Sequence, residues 1–188
     1  MPNVFTPMKQ LLSATFFVLL LATMSSIQSC SSSLIPSRTK YTIVSDTETV
    51  VMKGVLNRAT LDKEPTFTWM TENRKYGSAD AGAVKIFSEK KDQFTLLIFI
   101  GTWCHDSQNL LPLLFRLTDK SGFPDNRIQI VGLDRNKTAP NNWHQVWNIT
   151  NVPTFIVLQN GKEAGRVVEY GTTGNMEKEL AAIVAKLP

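Results

Sequence analysis

Phe94-Thr95-Leu96-Leu97-Ile98-Phe99-Ile100-Gly101-Thr102-Trp103-Cys104-His105-Asp106-Ser107 runs from an apolar core segment into a helix start. Residues 94–100 are almost continuously apolar, which fits a strand buried on both faces, as a central parallel strand between layers of helices is. The sequence thereby delivers one thiol, Cys104, at the carboxyl end of that strand. The partial positive charge of the helix start can stabilise a sulfur anion there. A cysteine three residues on would complete a dithiol redox motif; Ser107 stands in its place and leaves Cys104 without a local partner.

On the amino-terminal side, Ser78 is expected to cap a helix over 79–91, with Asp80 in its first turn and Val84, Ile86 and Phe87 on its apolar side. On the carboxyl side, Leu110, Leu113, Leu114 and Leu117 recur at helical spacing over 107–120, and Pro112 is expected to kink that helix. Residues 127–133 read as a strand. Pro140 opens a short helix carrying Trp143, Val146 and Trp147 as apolar anchors. Residues 153–158 and 163–169 read as strands joined by a hairpin around Asn160-Gly161. Thr173 or Asn175 caps a closing helix whose apolar face is Met176, Leu180, Ile183, Val184 and Leu187. This order predicts an α/β domain with one sheet and helices on both faces.

The region before residue 78 differs in kind. Residues 41–44 and 49–55 are rich in β-branched side chains and predict a β-hairpin, whereas 56–77 is aromatic without a sustained period and predicts an irregular packed segment. Residues 11–27 are apolar, and Lys9 is the only charge before Arg38, the pattern of a secretory signal. Ile27-Gln28-Ser29-Cys30 resembles a lipoprotein cleavage site, which would make Cys30 the lipidated first residue of the mature chain and a membrane attachment. The alternative is a secretory signal cut nearby that leaves Cys30 unmodified. The expected organisation is a signal at 1–29, a polar tether at 30–40, a β-rich extension at 41–77 and the α/β domain at 78–188. The expected location is the bacterial cell envelope, facing the periplasm from a membrane anchor, or outside the cell.

The net charge of +4 arises from 20 basic and 16 acidic residues spread along the chain, without the clustered cations of a nucleic-acid binder. Two histidines and one cysteine in the folded part make no closed metal site, so neither metal nor cofactor is expected. His105 is adjacent to Cys104 and poorly placed to face its sulfur, which leaves His144 as the other candidate for a Cys-His pair. Asp134-Arg135, at a strand end, is expected to pair internally.

Taken together, Trp103-Cys104 after the first central strand, Pro112 in the following helix, Val152-Pro153-Thr154 and the Asn-Gly hairpin resemble the thioredoxin family over residues 79–187. Gly101 to Ser107, Val152 to Phe155 and Gly165 to Glu169 are further similar to motifs of bacterial envelope thioredoxin-like proteins with Trp-Cys-x-Asp-Ser. The resemblance implies a thioredoxin-like fold and a cis peptide bond before Pro153. It also implies a site of Cys104, Trp103, His105 and Ser107, with Val152, Pro153 and Thr154 as substrate contacts. Two departures stand out: Ser107 replaces the resolving cysteine, and Ile98 stands where thioredoxin has a buried aspartate.

Cys104 can therefore begin thiol-disulfide exchange without being able to finish it internally. One expectation is monothiol exchange with protein thiols or disulfides, completed by an external thiol reductant. The other is a redox-inactive module that binds extended peptides or a partner near Val152 and Pro153.

Overall fold

The strands expected on either side of residues 45–48 form in the computed structural model, which describes residues 1–2, 35–44 and 49–188. They are β1 (Lys40–Val44) and β2 (Val51–Leu56), paired antiparallel. The turn between them, the apolar segment at 11–27 and Cys30 lie outside the described residues. The segment expected to be irregular instead forms α1 (Arg58–Asp62), α2 (Trp69–Glu72) and a 3-10 turn at Asn73–Lys75. Asn57 nucleates α1 by accepting from Thr60 N–H, and helices of 5 and 4 residues are too short to print a period on the sequence. Leu61, Phe67 and Met70 are buried and hold the segment down.

The remaining elements are α3 (Ala81–Lys90), β3 (Thr95–Ile100), α4 (His105–Ser121), β4 (Ile128–Gly132), α5 (Trp143–Val146), β5 (Thr154–Gln159), β6 (Lys162–Val168) and α6 (Met176–Ala185). Asp80, and not Ser78, caps α3: its carboxylate accepts from Ala83 N–H at 2.9 Å. Pro112 lies buried inside α4, and that helix ends where Gly122, at φ 65°, returns its N–H to the carbonyls of Thr118 and Asp119. The hairpin between β5 and β6 turns at Asn160 and Gly161, whose φ values of 51° and 75° are the paired left-handed conformations that an Asn-Gly turn supplies. Asn175 caps α6 by accepting from Lys178 N–H at 3.0 Å.

The described strands form one mixed sheet in the order β1-β2-β4-β3-β5-β6. β3 lies at its centre, parallel to β4 and antiparallel to β5. Alternation along β3 divides its side chains between two cores. Leu96, Ile98 and Ile100 join the apolar cluster built with α3, α4 and α6, and Leu97 and Phe99 join the cluster that contains Trp143 and Ile149. The continuous apolar run is thus explained by burial on both faces, and the expected sheet with helices on both sides is observed. Trp143 is a buried anchor as expected, whereas Val146 is 48% exposed.

Candidate functional site

At the end of β3 the chain turns through Gly101-Thr102-Trp103 and enters α4 with Cys104 as its N-cap residue. Four hydrogen bonds on the inner side of this turn fix it. Thr102, fully buried, donates its hydroxyl to the Val50 carbonyl at 2.8 Å and accepts from Met52 N–H at 3.1 Å, which ties the loop to the start of β2. Gln108 Nε2 donates to the Thr102 carbonyl at 2.8 Å. Ser107, also fully buried, accepts from Gly101 N–H at 3.2 Å. The residue that replaces a resolving cysteine therefore braces the loop.

Trp103 closes the side of the turn. Its indole Nε1 donates to the Leu133 carbonyl at 3.0 Å, and its ring packs on the cluster containing Leu97 and Phe99. Gly101 is required beneath it, because a Cβ there would lie 2.7 Å from Trp103 Cε2. The Arg135 guanidinium sits 5.7 Å from the Trp103 ring centre, within reach of a cation–π contact. Asp134 has Lys53 for its ion-pair partner, at 2.7 Å, and accepts from the Thr138 hydroxyl at 2.6 Å. Burial opposes ionisation of Asp134, but the Lys53 and Thr138 hydrogen bonds outweigh it and hold the carboxyl below its ordinary range.

The outer side of the same turn is open. Cys104 is partly buried and His105 is exposed, beyond the well-tied Thr102 and Ser107. The Cys104 sulfur donates to the Val152 carbonyl at 3.2 Å, across 48 residues of sequence. The Val152-Pro153 bond is cis, and Val152 and Pro153 are both buried in this turn. Thr154 is 1% exposed and gives its hydroxyl to the Asn151 carbonyl at 2.7 Å, so its side chain braces the turn from within. Glu169 N–H donates to the Pro153 carbonyl at 2.7 Å and brings the segment after β6 alongside. The fold thus brings Trp103, Cys104, Val152 and Pro153 together, and it turns the side chains of Ser107 and Thr154 inward.

Thr102 carries no signal in the sequence, because its partners are 50 and 52 residues away. The same holds for a rim chain in which Asn73 Nδ2 donates to Asn109 Oδ1 at 3.3 Å and Asn109 Nδ2 donates to the Tyr170 hydroxyl at 3.3 Å. His144 Nδ1 accepts from Ala139 N–H at 3.1 Å, a structural bond within its own loop. Among the described residues no group of three or more His, Cys, Asp or Glu side chains is arranged to hold a metal ion, and no helix is long and apolar enough to cross a membrane. Cys104 is the free cysteine of the described part.

A family model described as Thioredoxin matches residues 59–185. Thioredoxin Y, chloroplastic, of Oryza sativa subsp. japonica is 37% identical over 79 residues, 42% of this chain and 44% of that protein. Thioredoxin H2 of Arabidopsis thaliana is 29% identical over 103 residues, 54% of this chain and 69% of that one. The chain thus spans less than half the length of the rice relative. Among solved structures, an HIV epitope-scaffold superposes with a TM-score of 0.50 at 17% identity, over 69% of this chain and 92% of that one, a likeness of fold. A thioredoxin from Fasciola hepatica gives a TM-score of 0.38 at 20% identity, over 55% of this chain and 89% of that one.

Proposed function

Because this chain belongs to the thioredoxin family, we propose that it carries out thiol-disulfide exchange through Cys104 as a single-thiol member. The observation that carries this reading is the contrast within one helix turn. Cys104 stands at the open start of α4 against the Val152 carbonyl, while the position that would hold a second sulfur is a buried serine bonded to Gly101. The Cys104 thiolate attacks one sulfur of a substrate disulfide, forming a Cys104–substrate S–S bond. The substrate's own S–S bond breaks, and its departing sulfur takes up the proton that Cys104 gave up. An external thiol then attacks the mixed disulfide at the substrate sulfur, returns Cys104 to the thiol and leaves the substrate joined to the external sulfur. A second external thiol completes reduction away from the protein.

The proposed substrates are envelope proteins, and the proposed attachment is a lipid on Cys30. Both rest on the apolar stretch at 11–27 and on Ile27-Gln28-Ser29-Cys30. Non-reducing capture of substrate from an envelope extract tests the exchange reading: a mixed disulfide that is present in the wild type and absent in Cys104→Ala supports it. No adduct with any protein or peptide disulfide overturns it.

A second reading is a partner-binding module without redox work, favoured by Ile98, which is fully buried among apolar side chains of the core. That position offers no proton-accepting group beneath the thiol loop. Partner capture that survives Cys104→Ala but falls on a charged substitution at Val152 supports this second reading over the first.

A further inference from the structure

A cavity of about 480 Å³ lies away from Cys104, between the β1–β2 hairpin and the turn that leads into α5. The pairing register explains how it forms. Lys40 stands opposite Val55 and Thr42 opposite Lys53, so side chains of both strands share the face that the Trp143 segment covers. Val55 and Trp143 are buried and line it, which gives the cavity an apolar wall that includes one aromatic ring. Three cations stand around it: Arg38, Lys40 and Lys53.

These cations are not equivalent. Lys53 is held at 2.7 Å by Asp134 and at 2.7 Å by the Thr138 hydroxyl, so its charge is neutralised and its position fixed. Arg38 and Lys40 are exposed, and neither has an ion-pair partner among the described residues. The cavity therefore combines an apolar wall, two positive charges without an ion-pair partner among the described residues and one ammonium fixed by Asp134. Its volume falls within the range of about 300–1,000 Å³ typical of small-molecule sites.

We propose that this cavity binds a small organic anion with a flat apolar body, whose carboxylate or sulfonate meets Arg38 and Lys40 while its ring system lies against Trp143 and Val55. The site is separate from the thiol, so it stands whether or not Cys104 reacts.

The test uses the chain as it exists and 2-naphthoate as the probe, followed by amide and indole nuclear magnetic resonance. Saturable shifts confined to Thr42, Lys53 and the Trp143 indole are expected, with affinity falling roughly tenfold in the Arg38→Ala/Lys40→Ala double variant, as two exposed charge contacts permit. Neutral 2-naphthamide and acetate should each bind more weakly than 2-naphthoate, one lacking the charge and the other the ring. Both substituted residues are exposed, and an unchanged spectrum away from the cavity confirms that the double variant is folded. Shifts that do not saturate, that centre on Cys104, or that persist undiminished in the double variant overturn the proposal.

Discussion

The two sides of the turn between β3 and α4 are built on opposite rules. The inner side, Thr102, Ser107 and Gln108, is tied by hydrogen bonds to β2, to Gly101 and to the loop itself. The outer side carries the half-buried Cys104, whose described side-chain bond is to Val152, and the exposed His105. A scaffold that fixes the helix start while leaving the sulfur at its rim can present that sulfur to a partner without refolding. The serine belongs to the scaffold side, and its hydroxyl oxygen, unlike a sulfur in the same place, cannot form a disulfide with Cys104.

Substitutions on the two sides should separate sharply. Cys104→Ala is expected to abolish mixed-disulfide formation while leaving the denaturation midpoint nearly unchanged. Capture that persists would place the chemistry elsewhere. On the inner side, Thr102→Val leaves Met52 N–H and the Val50 carbonyl without their buried partner, and should lower unfolding free energy by about 1–3 kcal/mol. A urea titration that detects no loss would show that the tie to β2 is not structural. Gly101→Ala forces the Trp103 ring aside and should cost about 1–3 kcal/mol by overpacking, read in the same titration.

A subtler contrast concerns pH. Asp134 is ionised more readily in the folded chain than in the unfolded one, so its contribution is fully present above the ordinary carboxylate range. That contribution is lost as pH falls through its lowered folded value. The stability gap between wild type and Asp134→Asn should therefore be widest near neutrality and narrow on acidification, and a gap that widened instead would reverse the assignment. The smallest effect is expected at exposed His105, where alanine should change stability by no more than about 0.5 kcal/mol in urea titration.

The sheet was readable because residues 94–100, apolar but for Thr95, admit few interpretations other than a strand buried on both faces, and Asn160-Gly161 announces the hairpin. Residues 57–75 were not readable as helices, since their short turns derive stability from buried Leu61, Phe67 and Met70 and not from a period of their own. Ser78 and Asp80 are both capable acceptors two residues apart, and only the backbone geometry selects Asp80 as the cap of α3. In the candidate site, Cys104, Trp103, Val152 and Pro153, which the fold brings together, were legible through local motifs. Thr102 was not, because a buried hydroxyl that bonds a strand 50 residues away leaves no trace in its neighbours.

Placing a cysteine on the scaffold side tests the division itself. A mixed disulfide preformed between Cys104 and a peptide thiol, followed by intact mass, should persist in the wild type until an external thiol is added. In Ser107→Cys it should decay without one, at least roughly tenfold faster, as the new thiol attacks Cys104 and expels the peptide. Spontaneous release from the wild type at the rate of the variant would contradict single-thiol exchange.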